Sequence, residues 1–236
     1  MRSLVQPVPF AILAFVVFAV AAAVPAGAQQ TQARLVQDAV DVFVALSNMP
    51  EREVPAFMVK DAWGIAIFPG MRKFGLVVGL QRGNGVLVTR SKDGGWGPPL
   101  LISLSGGTVG WQIGVQSVDL VLFFRTRESV DQVLRGGLTL GVDVAVAAGG
   151  FGRQAGAGTD VELLAEIVSY ARTRGFFAGA TISSAAISPD DAANAAYYGV
   201  DRPRADDILA GKMRAAPPSA AALRAAIEAQ AGRARQ

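Results

Sequence analysis

Nine cationic side chains are the residues best placed to do chemistry in this sequence: Arg72, Lys73, Arg82, Arg90, Lys92, Arg125, Arg153, Arg172 and Arg174. Most fall where strands are expected to end or turn. Gathered on one rim beside exposed Phe, Trp or Tyr, they would hold the phosphates of anionic lipid headgroups. Ordinary solubilising charge on loops is the plainer reading, and both stay open at this level. Asp119, Asp143 and Asp160 lie in or beside apolar segments, where a carboxylate must be paired or hydrogen-bonded; Arg125, Arg153 and Arg172 are the obvious partners. Such pairing accounts for them more simply than an acid/base couple or a Ca²⁺ site. The chain has no His and no Cys. That excludes Ser-His-Asp and Cys-His nucleophiles, imidazole acid/base chemistry and thiolate or imidazole metal sites. No cofactor, metal ligand set or catalytic residue is expected. Gly83-Asn84-Gly85 and the glycines from Gly149 to Gly158 do not make a phosphate loop, because no G-x-x-x-x-G-K-[ST] pattern is present.

The elements that must position these groups follow a leader-like start. Arg2 precedes the apolar run Phe10–Val24, and Pro25-Ala26-Gly27-Ala28 is a small-x-small cleavage signature. The run is shorter than the ~20 residues of a transmembrane helix, so a signal peptide over residues 1–28, cleaved after Ala28, is expected. Its destination is the periplasm or cell envelope. No Cys follows the cleavage site, so a lipoprotein anchor is excluded, and stability must come from a core rather than disulfides. With 51% hydrophobic and 17% charged residues, that core is affordable. The net charge of +3 is too small for the concentrated basic face that nucleic acid requires.

Thr31–Ser47 has the spacing of an amphipathic helix, with Val36, Ala39, Val40, Phe43, Val44 and Ser47 on one stripe and Asp38 and Asp41 on the polar side. From Trp63 the pattern becomes strand-like. Trp63–Phe68 is expected to end at Pro69-Gly70, Phe74–Leu80 to form a second strand, and Gly83-Asn84-Gly85 to turn into Val86–Arg90. Ser91–Gly95 has the composition of a tight hairpin. Strands are expected over Leu100–Leu104, Thr108–Gln116, Asp119–Arg125 and Leu138–Ala147, with a short helix over Thr126–Leu134. Arg172–Gly175 reads as a turn between Val161–Ala171 and Phe176–Ser183. Ser188 and Pro189 open a helix to Tyr198, and an Ala-rich helix over Ser219–Ala231 reads as poorly packed or as a partner helix. The glycines at 75, 79, 110, 114 and 141 stand inside strand patterns, which points to bends, the commoner use, or to room for an acyl chain.

Several motifs resemble the SYLF domain family when taken in order: Gly64-Ile65-Ala66-Ile67-Phe68-Pro69, Gly94-Gly95-Trp96, Ser105–Gly114, Leu140–Asp143, Ala147–Arg153, Ser169–Gly179 and Asn194–Gly199. The likeness runs from about Ala33 to Gly199. It implies a lipid-binding module, since eukaryotic members bind phosphoinositides and some fungal ones also bind actin. It also implies membrane contact through an N-terminal amphipathic helix and basic surface residues, here Thr31–Ser47 and the cations above. The expectation is therefore an α+β domain over residues 29–200, a curved antiparallel sheet or partly closed barrel with flanking helices. Residues 201–236 form a helical or flexible tail. A non-catalytic role on phospholipid or a membrane surface leads, with a structural module docking an envelope protein as the alternative.

Overall fold

The computed structural model describes residues 26–49, 54–75, 78–91, 93–109, 112–140, 143, 146–148, 165–179, 182–213 and 216–233. Most of the proposed leader (residues 1–25), Lys92, Arg153, Asp160 and the Gly149–Gly158 run lie outside these. Among the described residues the helices are α1 (Ala26–Ser47), α2 (Ala56–Asp61), α3 (Arg127–Leu134), α4 (Asp191–Tyr198), α5 (Ala205–Leu209) and α6 (Pro218–Gly232). The strands are β1 (Gly64–Gly75), β2 (Val78–Thr89), β3 (Leu100–Val109), β4 (Gln112–Phe124), β5 (Leu138–Leu140), β6 (Val146–Ala148), β7 (Ile167–Gly179) and β8 (Ile182–Pro189).

All eight strands form one sheet in the order β5-β8-β3-β2-β1-β4-β7-β6. Seven are antiparallel, and β6 joins the β7 edge in parallel. The connectivity itself requires curvature. β5 and β6 lie at opposite edges of the sheet, yet only six residue steps separate Leu140 from Val146, and six steps reach at most about 22 Å. Eight flat strands spaced ~4.8 Å apart would hold those edges farther apart than that. The sheet is a curled half-barrel in an α+β domain, as the sequence suggested.

Where sequence punctuation suggested turns, the strands run on. Pro69-Gly70 does not end β1; it forms a bulge at which the register with β4 slips between Phe68 and Met71. Gly70 takes φ +58 there, a conformation that glycine adopts at little cost. Its displaced N–H donates to Asp119 Oδ1 at 3.0 Å. Gly83-Asn84-Gly85 is mid-strand in β2 rather than a turn, and the glycine there answers a crossing, since a Cβ on Gly85 would stand 2.4 Å from the Ile67 carbonyl oxygen and 2.5 Å from the Phe68 ring. Gly85→Ala is therefore expected to lower stability by about 2–3 kcal/mol through overpacking against backbone, measurable as a drop in urea midpoint. Arg172–Gly175 is likewise continuous strand, paired with β4 from Gln116 to Asp119.

The helices cover the sheet and close the core. On α1, Val36, Ala39, Phe43 and Leu46 are buried against the sheet, α4 and α6, whereas Val44, expected on the stripe, is exposed. α3 begins where expected, with Thr126 Oγ1 accepting from the Ser129 N–H at 3.3 Å. α4 is capped by Asp190 instead of Ser188, because Pro189 completes β8. The Asn194–Gly199 motif is a docking device. The buried Asn194 amide accepts from the Leu101 N–H and donates to its carbonyl, both at 2.8 Å, like a strand partner. Tyr198 O–H donates to the Pro99 carbonyl at 2.5 Å. α6 is well packed within the chain itself: Leu223 and Ile227 are fully buried, and Gln230 donates to the Val54 carbonyl at 2.8 Å.

Candidate functional site: the tip of the β1–β2 hairpin

In an antiparallel ladder, residues directly opposite share a face, and alternate residues along a strand repeat it. β1 and β2 pair Arg72 with Arg82, Lys73 with Gln81, and Phe74 with Leu80. One face of the tip thus carries two adjoining cross-strand pairs, one basic and one apolar, with the apolar pair nearer the end. All four side chains are exposed, Phe74 by 46% and Leu80 by 71%. The two pairs stand about 7 Å apart along the strands. The ladder continues sideways, placing Arg72 opposite Ser117 of β4 and Ser117 opposite Arg174 of β7. An apolar pair left in water beside two arginines, Arg72 and Arg82, that find no carboxylate among the described residues is the arrangement expected of a surface made for contact.

Lys73 belongs to the other face, with Met71 and the buried Gln81 and Gln116. It is half-buried without a carboxylate within ion-pair distance among the described residues, and that burial pushes its ammonium below the usual lysine range.

Arg90, Arg125 and Arg172 are turned to internal work. Arg90 holds α2 in place. Its guanidinium donates to the carbonyls of Val59 (2.9 Å), Lys60 (2.8 Å) and Ala62 (3.2 Å), the C-terminal acceptors that a helix cannot satisfy itself. It also donates to the Gly94 carbonyl at 2.9 Å and lies 4.2 Å from the centre of the Trp96 ring. Burial lowers its pKa, while Asp61 opposes that shift. Arg90→Ala should destabilise the fold by roughly 2–4 kcal/mol, because several carbonyls lose a charged donor together; thermal or urea unfolding measures it. Arg172 closes on the buried Asp119, with Nε at 3.0 Å and a terminal nitrogen at 2.6 Å. Arg125 reaches the Ala165 carbonyl, and its own N–H donates to the Glu166 carbonyl. Asp143 accepts from the Thr139 N–H as a local cap, and no arginine pairs with it among the described residues.

The N-terminal helix, expected to touch the membrane, has its apolar stripe committed to the core. Among the described residues no helix is long and apolar enough to cross a membrane. A strand over Phe74–Leu80, as the pattern suggests, makes these two residues the ends of one segment and hides their pairing. The signal that could have separated them is the close pair Gly75 and Gly79, opposite each other at the tip.

These features define an α+β half-barrel domain in which an exposed basic pair and an exposed apolar pair adjoin at one hairpin tip. The chain matches the family described as Ysc84, Las17-binding protein actin regulator, over residues 105–230, more than half its length. It is 34% identical over 170 residues to LAS seventeen-binding protein 3 of Saccharomyces cerevisiae, spanning 71% of this chain and 37% of that protein. It is 33% identical over 165 residues to human SH3 domain-containing YSC84-like protein 1, spanning 70% of this chain and 48% of that protein. The chain belongs to the Ysc84 family, the SYLF domain family to which its motifs point. It spans about half or less of the curated relatives it matches.

Proposed function

We propose that this domain is a non-catalytic module that holds phospholipid at a membrane surface through the tip of its β1–β2 hairpin. The observation that carries the reading is the exposed Phe74–Leu80 pair directly beyond the exposed Arg72–Arg82 pair. With the tip lowered onto a bilayer, the apolar pair reaches the acyl boundary while the arginines stay at phosphate depth, within the 5–10 Å of an interfacial contact. Arginine suits that position because its planar fork donates to two phosphate oxygens at once. Lys73, held at the same end without a carboxylate partner among the described residues, adds positive potential from the inner face. The leader-like residues 1–28 support a location in the periplasm or at an envelope membrane face.

Vesicle co-sedimentation of the protein tests the reading, using neutral phosphatidylcholine and mixed phosphatidylglycerol vesicles at low and high salt. Binding to the anionic vesicles is expected, weakening several-fold at high salt as surface charge is screened. Arg72→Glu with Arg82→Glu should remove that salt-sensitive share. No binding to either vesicle would refute the lipid function, and salt-insensitive binding would remove the arginines from it.

A further inference from the structure

The opposite end of the sheet holds a cleft of about 1450 Å³. It lies where β1 begins and β2 ends, walled by α2, α3, α5 and the last turns of α6. About eleven residue steps along β1 separate it from the hairpin tip, so the two surfaces are ~35 Å apart before any bend. Pockets for small ligands measure about 300–1,000 Å³; this one is larger and suits a length of polypeptide. Its lining combines two indoles with an excess of carboxylates. Trp63 is 45% exposed, which leaves its ring available. Trp96 is buried in the wall, and its N–H finds no acceptor among the described residues.

The charge of the cleft is opposite to that of the chain as a whole. Asp61, Asp93, Asp131, Asp206 and Glu228 line it against Lys60, Arg90 and Arg127, whereas the whole sequence carries +3. Arg90 spends its donors on the carbonyls around α2, as described above. Arg127 lies only 3.9 Å from Asp131, and Asp206 only 3.8 Å from Arg204, both exposed pairs that bind weakly. A guanidinium or ammonium entering the cleft meets carboxylates and the face of Trp63, the pairing that cation–π attraction favours.

We propose that this cleft binds an extended, arginine- or lysine-bearing segment of a protein partner, leaving the hairpin tip free for the membrane. The surface is independent of the lipid function and stands or falls separately.

Fluorescence anisotropy with a labelled arginine-glycine repeat peptide, and its glutamate counterpart as control, tests this on the full chain. The arginine peptide is expected to bind in the micromolar range and to change the intrinsic tryptophan emission. Trp63→Ala should weaken binding about five-fold, in line with loss of one cation–π contact. Asp61→Lys with Glu228→Lys should weaken it about ten-fold or more by replacing attraction with repulsion. All three positions are exposed, so unchanged unfolding midpoints will show that the fold is intact. Phe74→Ser with Leu80→Ser should leave peptide binding as it was. Equal binding of both peptides, binding of neither, or variants that bind like the parent would overturn the proposal. So would cleft variants that lose vesicle binding while peptide binding persists, since the cleft would then be a lipid contact.

Discussion

Phe74→Ser combined with Leu80→Ser is expected to weaken partition onto anionic vesicles about 100-fold. Moving a Phe or Leu side chain from water into an apolar phase is worth about 1.5–3 kcal/mol. Both residues are already partly covered, so the lower figure applies to each, and about 3 kcal/mol corresponds to two decades in affinity. The fold should barely notice, since exposed substitutions generally change stability by ~0.5 kcal/mol or less. Sedimentation with vesicles and urea unfolding, run on the same preparation, separate the two effects. A double variant that binds membranes like its parent would show that the apolar pair is not inserted. By comparison the arginines should act more modestly, at about 1 kcal/mol each and in a salt-dependent way.

The second large effect concerns the bulge that aims the hairpin. Asp119→Ala should cost about 3–5 kcal/mol of folding stability, the usual result of removing one partner from a buried, hydrogen-bonded charge pair. Asp119 is 1% exposed. It accepts from the Gly70 N–H that the bulge has freed from the ladder, and from Arg172 on the neighbouring strand. Asp119→Asn keeps an acceptor for Gly70 while losing the charge opposite Arg172, so it should fall between parent and alanine variant. Urea denaturation gives the comparison directly. An alanine variant within 1 kcal/mol of the parent would mean that the bulge holds without its clamp.

The same bulge shows which parts of the fold were legible in the sequence. Hydrophobic period and caps located α1, α3 and α4, and the short β-favouring runs identified the sheet. At Pro69-Gly70, Gly83-Asn84-Gly85 and Arg172–Gly175, where turns are expected, the strands continue. At each, residues that usually punctuate a chain serve long-range needs: a bulge clamped from β4, a crossing too close for a Cβ, and an arginine paired 53 positions away. Local chemistry cannot distinguish these from turns. One consequence reached the site. A strand over Phe74–Leu80 makes the two residues ends of one segment, whereas β1 and β2 pair antiparallel and set them side by side. The cations were ambiguous for a similar reason. Arg90 next to a turn looks like Arg82 in mid-strand, until α2 is seen to point its carbonyls at one and nothing at the other. Among the cations whose side chains are described, Arg72 and Arg82 keep the exposed role foreseen for the group, with Lys73 beside them on the inner face.

The most direct test uses the absence of cysteine from the chain, which lets a single Leu80→Cys or Ala229→Cys substitution carry an environment-sensitive fluorophore at either end of the sheet. On phosphatidylglycerol-containing vesicles with brominated acyl chains, the label at position 80 should shift to the blue and be quenched, while the label at 229 on α6 should do neither. Quenching at 229 without any change at 80, or no change at either position while the protein co-sediments, would contradict a membrane contact at the hairpin tip.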